Sequence, residues 1–155
     1  MSPPPDDDVA PAQAGDLAPP SSFRPVPRRS GFLDLVGPLH IDDTAPEAPV
    51  YGLRISEQHT NSRGTAHGGV LTTLADVALG YGSLAAHGEF LALVTASLTI
   101  NYTGTAMVGD WLEARTTLKR LGSRLASASC DLTVAERPVA SATAVFSVPP
   151  KDRSN

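Results

Sequence analysis

The chain has 155 residues, of which 41% are hydrophobic and only 18% charged, enough for one domain with a real core and too few for two. Its net charge of -4 argues against nucleic acid as the main partner, because phosphate backbones reward a basic surface. The single cysteine, Cys130, excludes an internal disulfide and predicts a reducing, cytoplasmic setting.

The start, Met1 to Asp8, is acidic and Pro-rich, with no basic or apolar region of the kind a secretory signal carries. Eight of the 14 prolines precede Ser30. Such a segment buries too little apolar surface to offset its ordering entropy, so residues 1–22 are predicted to be a disordered tail. The folded domain is expected over residues 23–149, with a short tail at 150–155. Gly31 to Val36 predicts a short helix closed by Gly37 and Pro38. Val50 to Gln58 predicts the first strand, with Tyr51, Leu53 and Ile55 alternating against more polar neighbours.

The longest apolar run is Gly68 to Ala86, where Leu71, Leu74, Ala75, Ala78 and Gly82 recur at helical spacing. Small and apolar residues occupy nearly every face, so this helix should be wrapped by other structure. A membrane span is rejected: an aspartate sits at the middle, four glycines loosen the run, and the chain's mean hydropathy is -0.05. The pattern then switches to period two. Val94 to Tyr102 predicts a long half-buried strand, and Trp111 to Leu121, Leu125 to Val134 and Val139 to Val148 predict three more. A strand, a long helix and consecutive strands on short loops imply an α+β fold, an antiparallel sheet packed on one buried helix.

Asp76 is the only charged residue between Gly68 and Ala86. Burying a carboxylate costs several kcal/mol unless it is paired, on the order of the penalties known for buried ions. A helix that otherwise avoids charge should not carry one without a reason. Spacing alone leaves two readings even: a general base or nucleophile, or a carboxylate that caps a neighbouring segment or lies at a solvated edge. His67-Gly68-Gly69 opens the helix, where free backbone N–H groups and the positive dipole end can polarise a carbonyl oxygen. The plainer reading is a tight turn that needs glycine. Asn61, six residues earlier, can orient that turn or hold a water or carbonyl. Lys119, Arg120 and Arg124 surround the Gly122-Ser123 turn, either as a solvated hairpin end or as a local phosphate clamp. No metal site is expected, since His59 and His67 lack a third ligand at useful spacing and no Cys pair exists. Gly80-Tyr81-Gly82-Ser83 does not make a nucleophile elbow, because it lacks the second glycine and lies within the helix.

The combination Asn61-x-x-Gly64-x-x-His67-Gly68-Gly69 with Leu74-Ala75-Asp76 resembles the phenylacetic-acid-degradation type of hotdog thioesterase. Thr95 to Tyr102 and Gly109-Asp110 extend the likeness, which covers roughly Phe32 to Val148. After Tyr102 that family commonly has Arg-Pro, where this chain has Thr103-Gly104. The resemblance implies a hotdog fold, an antiparallel sheet curled around the Gly69 to Ala86 helix. It also implies homodimers formed edge to edge, usually paired into homotetramers, with the active site between subunits. In this picture Gly68 offers its N–H to a thioester carbonyl and Asn61 positions the carbonyl or water. Asp76 from the facing subunit is the base or nucleophile, supported by Thr95. His67 stabilises the turn, with Gly69 beside it in the substrate site. The implied substrate is an acyl- or aryl-coenzyme A, with no metal or other cofactor, no nucleic acid and no membrane. Lys119, Arg120 and Arg124 are the candidates for the coenzyme phosphates. A non-catalytic module that binds acyl-CoA and a dehydratase- or hydratase-like enzyme are the alternatives. The first has no need of a base beside the thioester, and the second commonly uses a histidine where this helix offers Asp76.

Overall fold

The computed structural model describes residues 18–27, 30–87 and 93–149. The elements run β1 (Arg24–Pro25), α1 (Gly31–Val36), β2 (Leu39–Asp42), β3 (Val50–Arg54), a 3-10 turn (Glu57–His59), α2 (Gly68–His87), β4 (Val94–Tyr102), β5 (Trp111–Leu121), β6 (Leu125–Val134) and β7 (Arg137–Ser147). The strands form one antiparallel sheet in the order β1-β2-β3-β5-β6-β7-β4. The last three strands follow each other through short turns. β4 instead reaches the far edge and, among the described residues, pairs only with β7.

α2 fills the concave side of this sheet. Leu74, Ala75, Ala78 and Leu79 have no exposed surface, and they meet Leu53, Leu112, Leu132, Val139 and Phe146 from the strands in a single core. Truncating a leucine so placed costs about 2–5 kcal/mol. The helix is long and apolar enough to cross a membrane, yet these contacts make it the core helix of a wrapped sheet. Small residues let it come close. A Cβ added at Gly82 would lie 2.9 Å from the Thr116 Cβ on β5, so any larger residue there would push helix and sheet apart.

Three expectations need correction. Val50 does not open the first strand: β1 and β2 precede it, each too short for a periodic signal to register. That strand also ends at Arg54, because Glu57 to His59 turn instead of continuing to Gln58. β4 is not half-buried. Only Leu98 and Ile100 are partly covered, while Val94 is 58% and Tyr102 51% exposed, because the strand ends the sheet and no further strand among the described residues covers it. β7 begins at Arg137, running through Pro138 before the expected Val139. The expected disordered tail falls outside the described residues up to residue 17. Ala18 is already tied to the domain, its carbonyl accepting from Arg54 Nη2 at 2.6 Å. Residues 150–155 also lie outside the described residues.

Candidate active site

Asp76 sits midway along α2, half-buried, on the floor of an open cavity of about 350 Å³ lined by Phe32, Leu33, Thr72, Thr73, Asp76, Val77, Thr95 and Leu98. The premise of a fully buried carboxylate therefore fails: the helix stripe carrying Asp76 is the one the sheet leaves open. Thr72 and Thr73 precede Asp76 by four and three residues and so share its face. Their hydroxyls donate back to the Gly68 and Gly69 carbonyls at 2.9 Å each. Thr95 Oγ1 donates to Asp76 Oδ1 at 2.8 Å, which orients the carboxylate.

A bulge in β4 brings Thr95 to that position. Opposed residues of an antiparallel pair share a face. Leu98, Ile100 and Tyr102 oppose Ala144, Ala142 and Ala140, all buried on the inner face. Simple alternation would then turn Thr95 outward. Register shifts between Thr95 and Ser97, leaving Ala96 unpaired, so Thr95 opposes the buried Phe146 and faces inward.

At the start of α2 the His67 carbonyl accepts the Val70 N–H at 2.9 Å, and His67 Nδ1 accepts the Gly69 N–H at 2.9 Å. His67 thus caps the helix, and the Gly69 amide is committed to it. The Gly68 N–H, ahead of the first intrahelical bond, is the first-turn donor with no acceptor inside the helix. Tyr102 stacks against this glycine: its hydroxyl donates to the Gly68 carbonyl at 3.1 Å and lies 2.8 Å from Thr72 Oγ1. A Cβ at Gly68 would come within 3.1 Å of the tyrosine ring.

Asn61 uses both ends of its amide within its own loop. Nδ2 donates to Thr65 Oγ1 at 2.9 Å, and Oδ1 accepts the Arg63 N–H at 2.8 Å, a local turn of the kind short amide side chains favour. That loop leans on the 105–110 segment through Ala66 N–H to Ala106 O at 2.8 Å, and Asp110 Oδ2 accepts the Met107 N–H at 2.8 Å. Arg120 and Arg124 line a separate cavity of about 420 Å³ with Ser127 and Val145. Lys119 is not in its lining; register shifts between Leu118 and Arg120, so Lys119 is the unpaired bulge residue. Ser127 and Val145 oppose each other on the outer face of the sheet, so within one chain this cavity does not merge with that of Asp76.

The sequence did not point to Phe32, Leu33, Thr72, Thr73 or Tyr102 as site residues. Helical spacing from Asp76 was signal enough to find the two threonines. The approach of α1 and of Tyr102 is a long-range contact with no local pattern.

Residues 63–141 match the model of the thioesterase superfamily. The chain belongs to this family. An esterase of Pseudomonas aeruginosa, provisionally so named, is 47% identical over 130 residues, covering 84% of this chain and 97% of that one. Mouse acyl-coenzyme A thioesterase 13 is 33% identical over 103 residues, covering 66% and 73%. Among solved structures, a mutant of the phenylacetic acid degradation protein PaaI from Thermus thermophilus superposes with a TM-score of 0.67 at 28% identity, covering 76% of this chain and 98% of that one. The fold is the hotdog fold of these thioesterases, and the chain is a thioester hydrolase of the phenylacetic-acid-degradation type.

Proposed function

We propose that the protein hydrolyses an acyl- or aryl-coenzyme A thioester at a site shared by two subunits, with Asp76 as general base or nucleophile and the Gly68 N–H as oxyanion donor. The observation that carries this reading is the Asp76–Thr95 pair on the floor of an open cavity, in a family of thioesterases with an acyl-CoA thioesterase among its relatives.

Helix geometry supports shared use of the site. Gly68 and Asp76 lie eight residues apart on one helix, or about 12 Å at 1.5 Å per residue. One chain cannot bring both to one thioester, but two chains can if Asp76 of one faces Gly68 of the other. β4 supplies the means of pairing: it is a nine-residue edge strand, VTASLTINY, without a charge or a proline, and such an edge invites a second strand. A homodimer joined along β4 is the smallest active unit in this proposal, with homotetramers formed from two such dimers.

A thioester is already activated, so hydrolysis needs a placed water, a base and a donor for the developing oxyanion. One preorganised donor is worth about 3–4 kcal/mol of barrier, and a general base contributes about 10²–10⁴-fold. Asp76 accepts the proton or attacks, and the Thr95 hydroxyl keeps the carboxylate aimed. His67 fixes the helix start that directs the Gly68 N–H. Asn61 holds the loop in shape and Gly69 closes the turn. Arg120 and Arg124, with Lys119 nearby, are the candidates for the coenzyme's phosphates, which would lie at their own cavity on the outer face of the sheet. The cytoplasm suits the protein: its sole thiol, Cys130, is buried, and desolvation raises its pKa to about 12. Such a thiol is a weak nucleophile that needs no oxidising partner.

The test is thiol release from short, medium, long and aromatic acyl-CoAs by the native chain beside Asp76→Ala and Asp76→Asn. Turnover should fall by about 10²–10⁴-fold in both variants with the assembly intact. Wild-type rates in either variant would remove Asp76 from the chemistry. Replacing Arg120 and Arg124 should raise KM more than it lowers kcat; an unchanged KM would separate them from the coenzyme.

A further inference from the structure

His59 is 3% exposed, although it sits in a surface turn and is one of four histidines in the chain. Its ring is fixed at both nitrogens. The Ser56 backbone N–H, which can only donate, meets Nδ1 at 3.0 Å, so Nδ1 carries no proton in this arrangement. The hydrogen is therefore on Nε2, which donates to the Val36 carbonyl oxygen at 2.7 Å. Beside it, Gln58 Nε2 donates to the Gly37 carbonyl at 3.3 Å. The two side chains thus grip the C-terminal end of α1. The backbone of His59 reaches the other way: its carbonyl accepts the His67 N–H at 2.7 Å, and His67 in turn caps α2.

Beyond this grip, α1 rests on the core through Leu33 and Val36, both half-buried. It is six residues long, none of them buried, with Phe32 61% and Leu35 77% exposed. A helix this short does not persist without tertiary support. Leu33 and Asp34 of α1 line a cavity of about 330 Å³ with Pro25, Val26 and Leu39, and Leu33 also borders the Asp76 cavity. In that second cavity Phe32 and Leu33 of α1 stand with Val77 and Leu98 as the apolar lining, while Asp76 and Thr95 form the polar end.

We propose that His59 is a positioning residue that sets acyl selectivity, by holding α1 so that Phe32 and Leu33 form the wall against which an apolar acyl group longer than acetyl rests. This rests on the thioesterase reading of the Asp76 cavity and extends it to the acyl end. A chain packed on α1 gains contact with each added methylene, whereas an acetyl group ends at the polar floor. Loss of the His59 grip lets the wall shift, so long acyl groups lose binding that acetyl never had.

The experiment is steady-state kinetics on acetyl-, octanoyl- and phenylacetyl-CoA for the native chain, His59→Phe, His59→Gln and Phe32→Ala. In His59→Phe the ratio of kcat/KM for octanoyl- over acetyl-CoA should fall at least fivefold, through KM. His59→Gln, which keeps a donor near the Val36 carbonyl, should recover most of the ratio. Phe32→Ala, at an exposed position that does not threaten folding, should lower the ratio in the same direction. An unchanged ratio in His59→Phe or in Phe32→Ala would overturn the inference. So would an equal loss on all three substrates carried by kcat, which would make His59 a support of the α2 start alone. Should His59→Phe fail to fold, the same reading applies to His59→Ala, and an unchanged ratio there or in Phe32→Ala would overturn it. A native chain inactive on all three thioesters would refute the reading beneath it, and the inference with it.

Discussion

Gly68 shows how one missing side chain is held in place by its neighbours. Tyr102 packs on the space a Cβ would fill and bonds to the Gly68 carbonyl, so the glycine's amide is presented at a defined angle. In Gly68→Ala the tyrosine ring must move and its hydrogen bond weakens, at a cost of about 1 kcal/mol. The variant should fold with a Tm a few degrees lower, while kcat drops tenfold or more because the donor moves off its target. A kcat within twofold of the native value would show that this amide takes no part. Asp76 and Thr95 illustrate the opposite case, two side chains with ordinary surroundings made useful by one 2.8 Å bond. Asp76 was legible because a charge is conspicuous in an apolar run. Its partnership with Thr95 was implied by the family resemblance alone, since strict alternation from Leu98 back along β4 turns Thr95 outward, and only the bulge at Ala96 turns it in.

Among the elements, α2 and the strands β5, β6 and β7 follow their sequence periods closely because each is long and buries one clear face. β1 and β2 did not register: two and four residues carry no measurable period, and they are strands only because neighbours accept their hydrogen bonds. β4 has the reverse history. Its sequence suits a strand with covered sides, and in the single chain it lies exposed. That mismatch supports the proposed pairing of β4 with a second copy. Ser97→Lys with Thr99→Lys places two charges on the exposed strand and, across a dimer, four. Like charges opposed on neighbouring strands are destabilising. The double variant should sediment near the 16.1 kDa of one chain where the native protein forms a multiple of it, and turnover should vanish with the dimer. Native mass and native activity in the variant would place the interface elsewhere.

Across the whole molecule, acid is expected to act through the seam between the first strands and the sheet. His40 on β2 is buried, with Nδ1 unpaired, its ring 5.5 Å from that of Trp111, which also meets the Phe23 ring edge-on at 5.0 Å. Desolvation first, and the nearby Arg54 cation as well, hold its pKa below 6.5, partly opposed by a hydrogen bond with the Pro38 backbone. The unfolded chain therefore binds this proton more readily than the folded one. Stability from the neutral ring is complete above about pH 6.5 and is lost as pH falls through the lowered folded value. For one proton the slope stays below about 1.4 kcal/mol per pH unit. Thermal melts between pH 7.5 and 5 should show a fall in Tm that His40→Gln reduces; identical slopes in both would assign the acid sensitivity to other groups.

By itself the sequence determined one core helix, the strands that enclose it, the odd carboxylate on that helix and the glycines that open it, because each is a local departure from, or agreement with, a simple period. The tertiary structure decided which residues share the cavity. α1 contributes Phe32 and Leu33 from more than 40 positions before Asp76. A single unpaired residue in β4 sets which way Thr95 points, and the sheet order leaves β4 as an open edge. Local propensity reports how a segment meets its own neighbours in the chain, whereas a site depends on contacts whose energies arise only once distant segments are brought together.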